Sequence, residues 1–454
     1  MRFHGNKNKG FGHFCKEAAR CRTPGRISCA KIIWVPMEKA ARRIVEKLRL
    51  HGHEAFFAGG WVRDFLLRRK PKDIDIATDA LPDEVRRLFP RSRSVGAQFG
   101  VIQVFLYGHG YEVATFRSDG EYVDGRHPSS VAFSGPEQDA RRRDFTINGL
   151  FYDPVTDRLI DYVHGRSDIR RGLIRTIGFP DARFAEDKLR MLRAIRFACS
   201  LGFKIAPETW SVIQSLAAGI LQVSWERIRD ELIQILTGPA PGSGLDLLHD
   251  SGLLVHILPE IEAMREQAKP AEVAGGTNLF ARTKSAMNLL RKPSTPLAFA
   301  TLLHEAGDPA VSREVCRRLR MSTGETDRIV DLVSTHADFV NNKEMRDSSL
   351  RRIYRRPGFG DHLELLRVHC LSHQIKLDAY FRYLNRTKEY VKNPEASLFV
   401  TGDDLIAMGY APGPDFSRIL QRVEDLQLDG VLRSRDEALE YVRTAFPVSA
   451  GSRL

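Results

Sequence analysis

The chain has 454 residues, with 69 Lys plus Arg against 57 Asp plus Glu and a formal net charge of +12. That length accommodates about two to four domains, and the basic excess suits a polyanionic partner. No apolar run approaches the roughly 18 residues of a membrane span. The six cysteines, Cys15, Cys21, Cys29, Cys199, Cys316 and Cys370, follow no paired spacing, which argues against a disulfide framework and for a reducing, cytoplasmic setting.

Residues 1–36 are basic, rich in Gly, His and Cys, and carry neither helical nor strand periodicity. They read as a disordered extension without the apolar core of a secretory signal. His13, Cys15, Cys21 and Cys29 fit no zinc-finger spacing. Met37 opens the first clean amphipathic helix, MEKAARRIVEKLRLHG, and is a candidate alternative start. Phe56-Phe57-Ala58 then ends an apolar run, Gly59-Gly60 breaks it, and Trp61 to Leu67 has helical spacing. Strand, glycine turn and helix start present free backbone N–H groups to a phosphate, and Arg63 adds a fixed positive charge. Asp73-Ile74-Asp75-Ile76 alternates as a strand does, so Asp73 and Asp75 project from one face. Two carboxylates side by side suit a hard divalent cation such as Mg²⁺. Taken singly, a Gly-Gly pair is more often a plain turn, and an Asp-x-Asp step occurs in many surface loops.

Thr78 to Pro90 reads as a capped helix with Pro82 near its start, and Val101–Leu106 and Tyr111–Phe116 as a hairpin. Glu112 is either a third carboxylate for the metal or a solvated strand residue. Residues 117–130 form a polar loop, and Arg141-Arg142-Arg143 precedes Asp144, a candidate cap for Phe145 to Asn148. Short strands over 152–177 complete a small mixed sheet. From Asp181 the pattern is helical. A helix over Phe184–Ala198 sets Asp187 and Arg190 three apart on one face with Arg193 a turn on, a spacing that equally fits a surface ion pair worth about 0.3 kcal/mol. Arg196 lies on such a helix about half a turn from Asp187. Composition shifts near 265–285. LLHEAGD, residues 302–308, resembles the His-Asp step of metal phosphohydrolase domains, but Glu305 replaces the aspartate and no companion histidine motif precedes it, so hydrolysis is not expected. Arginine clusters at 317–320 and 351–356 suit an RNA backbone or a solvated helix face. TGDDLIAMGYAPGPDF, 401–416, reads as a capped helix and a Pro-Gly-Pro turn.

Three stretches in order, GGWVRDFLLRRKPKDIDIAT (59–78), RRRDFTINGLFYD (141–153) and EDKLRMLRAIRFA (186–198), resemble the class II tRNA nucleotidyltransferase and bacterial poly(A) polymerase family, within the DNA polymerase β-like superfamily. The resemblance runs from about 37 to about 445. It implies an α+β chain: a mixed-sheet nucleotidyltransferase head over 37–180, a helical neck over 181–265, and an all-α body and tail over 266–454 that hold RNA. It implies template-independent addition of CCA to the tRNA 3′ end from CTP and ATP, with Asp73 and Asp75 catalytic and holding two Mg²⁺ ions. Gly60, Arg63, Arg143, Asp187, Arg190, Arg193 and Arg196 are then nucleotide-binding, with Asp144 near the ribose. An aspartate only accepts and an arginine only donates, so Asp187 and Arg190 together can match the amino and ring-nitrogen edge that adenine and cytosine share. Guanine and uracil would leave two mismatched groups, each costing roughly 1–3 kcal/mol when buried. In that family the loop at 117–130 is associated with adding the terminal A, and here it looks complete. The open alternatives are a poly(A) polymerase, an enzyme adding only the final A, and a catalytically inactive RNA-binding protein. No membrane or obligate protein partner is expected.

Overall fold

The computed structural model describes residues 37–96, 100–120, 131–266, 278–341, 346–355, 358–392 and 398–447. The N-terminal extension, the loop at 121–130 and residues 267–277 lie outside these described residues, as do the readings made for them. Helix α1 (Met37–Leu50) buries Ala40, Ala41, Ile44, Val45 and Leu48, one stripe of its amphipathic sequence. It packs on a seven-stranded sheet whose order is β3 (Ser92–Gly96), β4 (Val101–Leu106), β5 (His109–Thr115), β2 (Asp75–Thr78), β1 (Ala55–Ala58), β8 (Leu150–Asp153) and β9 (Arg158–Asp161). The numbers missing from that order are β6 (Arg117–Asp119) and β7 (Val131–Phe133), which pair with each other at the mouth of the polar loop. Every neighbour pair in the seven-stranded sheet is antiparallel except β2 with β5. The β4–β5 turn places Tyr107 and Gly108 at φ 50° and 81°, positive at both central positions as a tightly twisted hairpin requires.

Alternation buries both faces of this sheet. Phe57, Ile76, Ile102, Val104 and Val113 join the core that includes α1, while Phe56, Ala58, Ala77, Phe116 and Phe151 pack together separately. Register explains a shorter carboxylate strand than the sequence pattern suggests. Ala58 is the last β1 residue to pair and faces Asp75, and Gly59 then turns the chain into α2 (Gly60–Leu66). Asp73 therefore precedes β2 rather than sitting in it. Thr78 likewise ends β2, and the next helix, α3 (Pro82–Leu88), starts four residues later. Helices α4 (Pro136–Arg142) and α5 (Gly165–Arg171) complete the sheet region. Leu173–Ile174 does not extend the large sheet; as β10 it pairs in parallel with β11 (Lys204–Ile205).

The helix expected over 184–198 is two helices, α6 (Pro180–Glu186) and α7 (Leu189–Leu201). Asp187 sits between them in extended conformation, φ −153° and ψ 105°, and its Oδ1 accepts the Leu189 N–H at 3.1 Å. A side chain that caps the second helix competes with continuing the first. Then follow α8 (Pro207–Leu216), α9 (Trp225–Leu236) and α10 (Pro241–Asp250), and the described remainder is helical to Ala445. Thr401 caps the helix Gly402–Ala407 reciprocally with Asp404, as TGDD suggests. Arg351 departs from the expected basic face: it is buried, with its guanidinium 5.4 Å from the Tyr390 ring centre. Among the described residues, no helix is long and apolar enough to cross a membrane.

Candidate active site

The Gly59 turn, the start of β2 and the first turns of α7 face one another across a cleft of about 550 Å³. All nine residues singled out from the sequence line it, together with Asn148, Phe197 and Arg227. Gly59 has φ 64° and ψ −126°, a region closed to side-chain-bearing residues, and a Cβ there would stand 3.0 Å from Arg143 Nη1. Arg63, one turn into α2, donates to Asp64 and, at 2.8 Å, to Asn148 Oδ1. Arg143 is held by Asp139 at 3.0 Å, and Asp139 also takes Arg142 at 2.7 Å. Burial opposes the Asp139 charge, but the two guanidiniums outweigh it and hold its carboxyl below the ordinary range.

Asp144 is less a helix cap than an anchor. Its Oδ1 accepts from the Phe145 N–H and Asn148 Nδ2, and its Oδ2 takes Arg193 at 2.6 Å. Burial resists the charge, Arg193 prevails, and the carboxyl falls to about 2. Arg196 pairs with Glu231 of α9 at 2.6 Å, and Asp187 with Arg227, also of α9, at 2.7 Å. Arg190 pairs with Glu186, not with Asp187. The half-turn offset assigned to Arg196 disappears because Asp187 is not on α7; Arg190, Arg193 and Arg196 form one stripe at three-residue spacing. Phe197 is buried beneath three guanidiniums, with Arg196, Arg63 and Arg193 at 4.2, 5.3 and 5.6 Å from its ring centre.

The carboxylate side is electrostatically loaded. Burial, then the charges of Asp73 and Glu112, push the Asp75 carboxyl up to about 6, against Arg143 alone. Glu112 is exposed on β5, the parallel neighbour of β2, so its charge reaches Asp75 although it does not line the cleft. Carboxylates gathered with only Arg143 against them fit a hard divalent cation with oxygen ligands. The whole lining counts eight arginines to four aspartates, a balance that suits a polyphosphate.

Sequence reasoning passed over Asn148, Phe197, Arg227 and Glu231. Arg227 and Glu231 are four apart on α9, one face of that helix, which is a readable signal; nothing local, however, says that this face meets α7. For Phe197 no sequence signal distinguishes it from the other apolar residues of its helix.

Three family models match in chain order: the poly A polymerase head domain over 55–175, the RNA and SrmB-binding site of polymerase A over 202–265, and tRNA nucleotidyltransferase domain 2 over 292–442. The CCA-adding enzyme of Geobacillus sp. (strain WCH70) is 33% identical over 414 residues, covering 89% of this chain and 96% of that relative. The chain belongs to the CCA-adding enzyme family. A second member, from Geobacillus kaustophilus, is 45% identical over 223 residues, an alignment that spans 55% of the relative and 49% of this chain. Higher identity is thus confined to about half the length. The Bacillus stearothermophilus CCA-adding enzyme, solved in complex with CTP, superposes with a TM-score of 0.72 at 29% identity, covering 91% of this chain and 99% of that one. The mixed-sheet head followed by helices is the family's fold.

Proposed function

We propose that this chain adds CCA to the 3′ end of tRNA from CTP and ATP, without a nucleic-acid template, in the cytoplasm. The observation that carries the proposal is the single cleft in which Asp73 and Asp75 face the arginine stripe of α7. Residues 37–180 act as the catalytic head, 181–265 as the neck bearing the base-reading residues, and 266–454 as the RNA-holding body and tail. Asp73 and Asp75 would hold two divalent ions, Mg²⁺ by its preference for oxygen; when bound, one would lower the pKa of the primer 3′-hydroxyl and the other would offset charge on the triphosphate and departing pyrophosphate. Gly60 and Arg63 receive phosphate oxygens, and Arg143, fixed by Asp139, orients the nucleotide. Arg193 and Arg196, seated on Phe197, keep the opposite wall positively charged. Asp187 and Arg190 read the base edge. Since Arg227 engages Asp187 and Glu186 engages Arg190, base reading proceeds by exchange of those partners.

The test is product length on tRNA lacking CCA, with CTP alone, ATP alone, or both. Two additions with CTP and a third once ATP is present support the proposal. A long ladder from ATP alone makes the chain a poly(A) polymerase, and addition confined to tRNA ending in CC makes it an A-adding enzyme. Asp73→Ala should lower transfer to background while tRNA binding stays within about twofold; near-native turnover would refute the metal assignment.

A further inference from the structure

A second cluster of ligating side chains lies outside the cleft, in the helical half. His304 follows the helix Thr295–Leu303, His336 belongs to Thr323–Asn341, and His369 to Phe359–Ser372, with Glu305 and His373 beside them. His304, Glu305 and His373 have side chains 1, 3 and 7% exposed, and His336 is 7% exposed overall. The ligand atoms of His304, His336 and His369 fall within 4.8 Å of one another, as do those of Glu305, His369 and His373.

Hydrogen bonding fixes which nitrogens face inward. His304 Nδ1 lies 2.7 Å from the Thr301 carbonyl and His373 Nδ1 3.0 Å from the His369 carbonyl. A neutral imidazole donating from Nδ1 carries its lone pair on Nε2. Those two Nε2 atoms stand 3.4 and 2.9 Å from the same oxygen, Glu305 Oε1. Lone pairs aimed at a carboxylate repel unless a cation sits among them. Protons on both imidazoles would answer Glu305 but give nothing to His336, whose Nε2 is buried and makes no hydrogen bond. Imidazoles held by main-chain carbonyls, with the other nitrogens converging, have the arrangement of metal ligands supported by their surroundings.

We propose that His304, His336 and His369, with Glu305 and His373 beside them, form a site for one divalent transition-metal ion of the zinc class, which pins three helices together. Nitrogen donors with one carboxylate disfavour Mg²⁺ and Ca²⁺, and enclosure of the ligands favours a structural role.

The test uses the full-length protein stripped of metal and titrated with Co²⁺ or Zn²⁺. One equivalent of Co²⁺ should bring the visible d–d absorption of a nitrogen-ligated ion, and Zn²⁺ should raise the melting temperature by roughly 5–10 °C at 100-fold excess over Kd. His336→Gln and Glu305→Gln, which alter different helices, should each lose both effects, whereas Asp73→Asn should keep them. Far-UV circular dichroism checks that the variants fold. Absence of both effects in the unaltered protein overturns the proposal whatever the variants do. So does binding unchanged in both variants, or binding abolished by Asp73→Asn. The readout is independent of nucleotide addition, so this proposal and the functional one fail separately.

Discussion

Gly59 couples backbone and chemistry in one position. Its φ of 64° with ψ of −126° excludes a side chain on backbone grounds, and its missing Cβ leaves room for Arg143. Gly59→Ala should lose roughly 1–3 kcal/mol of stability. It should also raise KM for both nucleotides more than it lowers kcat, because it displaces the Arg143 guanidinium, to which the proposed function assigns their orientation; denaturant unfolding and steady-state kinetics at one temperature check the two effects. At this scale the sequence was informative. Glycine pair, Arg63 and the two aspartates are close in sequence, so a strand–turn–helix–strand unit assembles them without long-range information. The partners that tune them were not legible: Asn148 is 85 residues from Arg63, and Arg227 is 40 from Asp187.

Elements were legible where period and burial agreed, as in α1 and the β4–β5 hairpin. They were misread where a side chain overrode the period. Apolar spacing runs through 184–198, yet Asp187 breaks the helix by capping its second half. Within the α7 stripe, Arg193 is tied to the sheet region through Asp144, while Arg190 and Arg196 are held by Glu186 and Glu231 of neighbouring helices. The Asp144 carboxyl is depressed from 3.8 to about 2, so its contribution is fully present above about pH 4 and is lost as pH falls through about 2. We expect Asp144→Asn to cost on the order of 2 kcal/mol near neutrality. The gap from the native protein should narrow as pH falls below about 4 and close below about 2, and unfolding across that range measures it. A gap that stayed constant with pH would show that packing, not charge, holds the element.

For the whole molecule, the family resemblance implied the fold class, and the order of the elements read from the sequence, strands first and helices after, agreed with it. The packing of α9 on α7 did not, because amphipathic faces state that a helix has a partner without saying which one. The same packing has a further consequence. Arg63, Arg143, Arg193, Arg196 and Arg227 each already hold a protein carboxylate within 3.0 Å. An arriving triphosphate therefore exchanges one anion for another, and few ions return to solution. An RNA backbone laid on a chain of net charge +12 instead displaces its own counterions. Between about 50 and 200 mM salt, KM for ATP and CTP should shift less than about threefold, while tRNA affinity falls by tenfold or more, on the order of a few released ions. Titrating both in parallel decides this. On the proposed function the chain acts as an ion exchanger toward its nucleotides and a polyelectrolyte partner toward its RNA, so rising salt would strip it of tRNA while its nucleotide cleft still worked.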